Sequence, residues 1–208
     1  MAISITICNL ALGELRASAI ADIAEDSIEA QSCARCYPQC LKALLERHDW
    51  GFARRIASLA ELSEGAAGVG AGEWPFAYAL PADLAGAIRL VPPANARGWP
   101  IAWEQAFIVE AGILYAQAPN ATLEYAANQV SEAAMPALFI EALTYALAAR
   151  LAVPIRDSRD MKTQLLQQAE LAATRAMADD MNRAPRRDAG FVDAVMLARQ
   201  GALVEGLE

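Results

Sequence analysis

Apolar positions recur along this chain in two rhythms, and the change of rhythm divides it. Ile3, Ile7 and Leu10 share one side of a short first helix over residues 3–12, which Gly13 should stop. Asp26 and Glu29 have N-cap and N3 spacing, so a second helix should begin there. Its apolar side runs through Ala30, Cys33, Leu41, Leu44 and Leu45 to about His48, and Pro38 within it predicts a kink. Residues 49–53 turn the chain away, with Trp50 and Phe52 expected to pack.

Residues 61–73 are rich in glycine and serine and read as a flexible loop. The rhythm then shortens. Phe76, Tyr78 and Leu80 alternate with small residues up to Pro81, and a second β-like run spans 88–91 before Pro92-Pro93. Further runs at 101–110, 112–117 and 122–129 follow, with a Pro119-Asn120 turn between the last two. A small antiparallel sheet of short strands is expected.

The helical rhythm returns at Pro136, placed to occupy the first helical position. Phe139, Leu143, Leu147 and Leu151 repeat at four, and Val153-Pro154 should end that helix. Asp157 or Ser158 should cap the next, whose stripe is Met161, Leu165, Ala169, Ala172 and Ala176 as far as about Met181. A stripe passing from leucine to alanine lets a facing helix come close. At ~1.5 Å per residue such a helix is about 36 Å long.

These elements predict a mainly α protein with a small antiparallel β insertion, an α+β chain with a helical-bundle body and an extended C-terminal tail. The expected divisions are N-terminal helices over 1–60, a loop over 61–73, a β-rich insertion over 74–130, bundle helices over 131–182 and a docking tail over 183–208. In that tail Arg183, Pro185, Arg186 and Arg187 form a basic break, followed by Phe191, Val192, Val195, Met196 and Leu203 at helical spacing. Such an apolar pattern must fold back on its own domain, stay disordered, or dock on a partner.

Composition narrows the function classes. Charged residues are 20% of the chain and the net charge is −8, so nothing suggests a surface that grips nucleic acid. A passage that DNA slips through remains compatible. Neither a signal peptide nor a run of eighteen apolar residues is visible, which predicts a soluble protein made in the cytoplasm, with no membrane role.

Candidate chemistry is sparse. Cys33, Cys36 and Cys40 lie at i, i+3 and i+7, so they could converge on a metal, or simply be small buried side chains of a core face; the second reading is preferred. Cys8 stands apart in sequence. The lone histidine, His48, adjoins Asp49, which suggests either a general-base pair or a polar helix end; again the structural reading is preferred. Asp157, Asp160, Asp179 and Asp180 suit helix ends, and nothing brings Glu104 and Glu110 together. No GxSxG, HExxH or Walker pattern occurs. No catalytic residue, cofactor or metal is therefore expected.

The order of parts resembles the head-to-tail adaptor family of short-tailed bacteriophages, also called tail tubular protein A. The resemblance rests on ICNLALGEL (7–15) and on DSIEAQSCARCYPQCLKALLERHDWGFA (26–53), with Tyr37-Pro38 inside the long helix and Arg47, His48, Trp50 and Phe52 closing it. Tyr78-Ala79-Leu80-Pro81-Ala82-Asp83 and the helix start Pro136 to Phe139 match further family features. It spans about residues 3–180. The resemblance implies a virion protein at the head–tail junction: one subunit of a ring, generally dodecameric, between the portal protein and the tail nozzle protein, with DNA passing through its lumen unbound. It also gives the tail a role by position, with Phe191, Val192, Val195 and Met196 as apolar anchors to the portal and Arg186 and Arg187 as charge partners. The cysteines flanking Tyr37-Pro38 have no role in that picture. The rival readings are a polysaccharide hydrolase associated with a phage tail and a cysteine-based metal or redox protein.

Overall fold

The computed structural model describes residues 3–62, 74–91, 106–117 and 119–183. The expected loop from residue 63 onward, residues 101–105 with Glu104, and the whole segment 184–208 with Arg186, Arg187, Phe191, Val192, Val195 and Met196 lie outside them. Among the described residues the chain is α+β: helices α1 (Ile5–Glu14) and α2 (Ile28–Glu46), strands β1 (Arg54–Ser58), β2 (Phe76–Ala79), β3 (Leu84–Val91), β4 (Phe107–Glu110), β5 (Ile113–Ala116) and β6 (Thr122–Ala127), then helices α3 (Ala137–Arg156) and α4 (Arg159–Arg183).

Each helix begins or ends by identifiable chemistry. Ser4 caps α1, its hydroxyl accepting from the Ile7 N–H at 3.1 Å. Gly13 stays inside that helix; the left-handed residue that ends it is Arg16, at φ 53°. The α2 cap is Ser27 rather than Asp26, whose carboxylate instead accepts from the Gln31 side chain. Pro136 stands at the cap position of α3, one residue earlier than expected. That helix also continues through Pro154. The ring removes one hydrogen bond, but a left-handed Asp157 closes the end, its N–H donating to the Val153 carbonyl at 2.9 Å. Ser158 caps α4 through the Met161 N–H.

The helical core surrounds α3. Phe139, Leu143, Leu147 and Leu151 are fully buried as their spacing predicts, and α1, α2 and α4 all pack on this helix. That explains why α3 is long and apolar enough, by length and composition, to cross a membrane: a helix covered on several sides needs little polar surface. Helix α4 contributes the expected stripe of Leu165, Ala169, Ala172 and Ala176, joined by Ala173, while Met161 is partly buried. In α1 the buried side is Ile7, Cys8, Ala11 and Leu12; Leu10 points away and is 49% exposed.

The strands form two three-stranded antiparallel sheets instead of one, ordered β1-β6-β3 and β2-β5-β4. Strand β1 was not anticipated, because Arg54-Arg55-Ile56-Ala57-Ser58 has two charges and little alternation, and it lies within the stretch expected to be helical. It is an edge strand, paired with the more apolar β6. One face of each sheet enters a second core of Tyr78, Leu114 and Ala116 from one sheet with Leu90, Leu123 and Tyr125 from the other. Between β4 and β5, Ala111 and Gly112 both take positive φ (50° and 81°), as a two-residue hairpin requires. Gly86 of β3 lies against the backbone of Glu46 at the end of α2, which brings the sheets onto the helical body.

Candidate functional site

Among the described residues a group of polar and aromatic side chains lies where α2 hands the chain to β1, against the end of α4. Trp50 is buried, its indole N–H donating at 2.8 Å to the Leu44 carbonyl, which also accepts the Arg47 N–H at the end of α2. Phe139 of α3 meets Trp50 edge-on at 4.8 Å and Phe52 at 4.7 Å. His48 stands edge-on to Trp50 at 5.0 Å.

Two polar bridges tie this corner to α4. The Arg47 guanidinium forks onto Glu170 at 2.9 and 2.6 Å, holding the Glu170 carboxyl below its ordinary range. His48 Nε2 lies 3.2 Å from Asp180 Oδ2, and the same carboxylate accepts the Gly51 N–H at 3.1–3.2 Å. The partner of His48 is thus Asp180 and not its neighbour Asp49, which binds Arg54 at 2.8 Å. Sequence proximity misleads here because the turn after α2 points consecutive side chains in different directions. Asp180 is likewise more than a helix-end charge, whereas Asp179 does pair with Arg183 one turn on.

The three clustered cysteines do not converge. Cys33 is fully buried in the core that also holds Cys8 of α1, while Cys40, two turns on, contacts the Ala146 carbonyl of α3 at 3.7 Å. Cys36 between them is half-buried. Burial pushes the Cys40 thiol up to about 11. Among the described residues no group of three or more histidine, cysteine or carboxylate side chains could hold a metal.

On the sheets, the buried Glu124 of β6 is held by Arg54 at 3.2 Å and Arg89 at 2.6 Å. Asp83 accepts from Arg55 at 2.7 Å and from the Tyr125 hydroxyl at 2.8 Å. These carboxylates are structural anchors of the sheets, each held by arginine. Glu110 ends β4 and is exposed.

An open cleft of about 800 Å³ lies between the end of α1 and the first half of α4, lined by Glu14, Arg16, Tyr145, Arg156, Met161 and Gln164 among others. Arg156 forms its floor, donating to the Leu15 carbonyl at 2.7 Å and to that of Arg16. Its guanidinium thus satisfies the end of α1 rather than facing a ligand. The arrangement defines a chain of structural contacts: a helical body, a two-sheet unit, and a corner that joins both to the end of α4. Comparison with known protein families and with curated proteins finds no match to this chain.

Proposed function

We propose that this chain is a structural adaptor subunit of a phage head-to-tail connector, a ring-forming protein that joins the portal to the tail nozzle and leaves a passage for DNA. The observation that carries this reading is the corner itself. Arg47, His48, Trp50 and Phe52, which close the segment resembling the adaptor family, form one packed unit with Phe139, Glu170 and Asp180. The order of helices, β unit and helices supports it as well. So does the net charge of −8, which suits a wall that DNA slides past without being held.

The mechanism in this reading is geometric. Subunits pack around a ring, the β unit meets the nozzle, and the segment after Asn182 reaches the portal through Phe191, Val192, Val195 and Met196, with Arg186 and Arg187 as charge partners. The test is mass measurement of the full chain alone and mixed with a portal ring. Stoichiometric addition to the ring is expected. A variant truncated after Asn182 should keep its helical content and lose attachment. Attachment that survives truncation would overturn the role of the tail, and no addition by the full chain would overturn the adaptor reading.

A further inference from the structure

Where α2, α3 and α4 meet, small side chains leave space between the helices. A cavity of about 130 Å³ lies there, with Cys40 and Leu44 of α2, Ala142 and Ala146 of α3, and Ala169 and Ala173 of α4 in its wall. Its rim includes Leu166, 45% exposed, Arg150 and the Arg47–Glu170 pair. Close-packed interiors hold few voids larger than a water molecule, and an apolar one of about 150 Å³ takes up benzene. The space fits one aromatic ring.

The rim also carries an uncompensated charge. Arg47, Arg54, Arg55, Arg89 and Arg183 each meet a carboxylate. Arg150 donates to the Gln39 side chain at 2.9 Å and meets no carboxylate among the described residues. An occupant with an aromatic ring and a nearby carboxylate would satisfy both features.

Such an occupant is within reach in the same chain. Helix α4 forms one wall of the cavity and ends at Arg183. From Ala173 to Arg183 the helix rises about 15 Å. Residues 184–191 can span up to about 26 Å, so Phe191 can return that distance. Among the lining residues Arg150 and Leu166 lie nearest the turn between α3 and α4. A chain returning along α4 therefore passes Ala173 first, and Asp193, which follows Phe191, comes level with Arg150.

We propose that the cavity between α2, α3 and α4 is the seat of Phe191 from the same chain, with Asp193 paired to Arg150. Seated there, the ring is covered while the chain is alone, and a partner that takes Phe191 must first draw it out. The seat does not depend on the adaptor reading; the identity of that partner does.

The test places a thiol where the ring should sit. In the full chain carrying Phe191→Cys, mild oxidation with diamide should join the introduced thiol to Cys40, read by peptide mapping. Leu203→Cys should give no such link. Adding Ala146→Leu, which fills the cavity, should abolish the link, and Arg150→Gln should reduce it. With the native cysteines alone, Phe191→Ala should lower Tm by about 3 °C, but by less than about 1 °C in the Ala146→Leu background. Mixing unlabelled and nitrogen-15 chains before oxidation identifies the source of the tail. Links within one chain are expected, whereas mixed-label pairs would assign the seat to a second copy and overturn the inference. So would a yield no higher than that of Leu203→Cys, a dominant link to Cys36, or an unchanged Tm for Phe191→Ala.

Discussion

Replacing Asp180 by alanine tests whether the end of α4 is fastened to the α2–β1 corner. In the folded protein its side chain is only 11% exposed, and it accepts from the Gly51 N–H and contacts His48 at 3.2 Å. Hydrogen bonds to a charged group contribute about 1.5–3 kcal/mol. Gly51 is exposed, so water recovers part of the loss, and about 1.5–2 kcal/mol is expected for Asp180→Ala. For a chain of this size that is a fall of about 4–7 °C in Tm. Asp180→Asn keeps an acceptor for the Gly51 N–H and should cost about half as much. Gly51→Ala is the steric control: its new methyl would stand 3.4 Å from Asp180 Oδ1, an ordinary contact, so a change within about 0.5 kcal/mol is expected. Urea unfolding of the four proteins gives the differences, and a His48→Ala/Asp180→Ala cycle should return a coupling of about 0.5 kcal/mol or more. Hydrogen exchange adds a local reading, since the Gly51 amide and the last turn of α4 should lose protection together. A destabilisation by Asp180→Ala under about 0.5 kcal/mol, with Gly51 exchange unchanged, would refute the anchor.

Trp50→Phe removes a buried indole and its hydrogen bond to the Leu44 carbonyl, which the Arg47 N–H still reaches at 3.3 Å, so it should cost about 2 kcal/mol, read as a fall in the urea midpoint at constant m. Thr144→Val should do the reverse. Among the described residues the Thr144 hydroxyl is buried without a hydrogen-bond partner, so its removal should raise stability by about 1 kcal/mol, measured as a higher Tm. The Cys40 thiol is raised from 9.0 to about 11, so above pH 9 the unfolded chain loses that proton first. Its stabilisation is complete below pH 9 and declines through pH 11, by up to ~1.4 kcal/mol per pH unit. Cys40→Ala should flatten the alkaline fall of Tm across that window, and parallel curves for the two proteins would count against it.

What the sequence disclosed follows from the range of the forces involved. The four-residue repeat of Phe139, Leu143, Leu147 and Leu151 and the alanine stripe of α4 are local patterns, and both place their residues in the core. Helix ends were displaced by a residue or two, since Ser27 and Asp26 are both good caps and only the surroundings choose between them. Pro154 misled because a proline near the end of a helix removes one bond in a turn that Asp157 then closes. Strand β1 carries no pattern of its own and is held by β6, nearly seventy residues on. The partner of His48 lies further still, 132 residues away, and no local rule could find it.

The preferred reading of the cysteines as small side chains of a core face holds for Cys33 and Cys40, which are buried. At about 100° per residue Cys33, Cys36 and Cys40 do fall on one side of α2. Cys33 and Cys40 are nonetheless about 10 Å apart along its axis, which is far enough for each to meet a different helix. Cys33 is buried in the core with Cys8 of α1 and Cys40 reaches α3, so one face of α2 is divided between two neighbours.

The same division gives the corner its mechanical meaning under the adaptor proposal. Helix α4 lies on α3 along a narrow stripe in which alanines predominate, a contact that permits close approach and offers few interlocking side chains. Against a pull along its axis, such a stripe resists less than large side chains seated in holes. The polar bridges through Glu170 and Asp180 supply what the stripe lacks, and Asp180 stands three residues before the end of the helix at Arg183. A partner engaging the segment beyond Arg183 would therefore load the anchor before the stripe. Through Gly51 and His48 that load passes to the turn that starts β1, so the helical body and the β unit would feel it at one point.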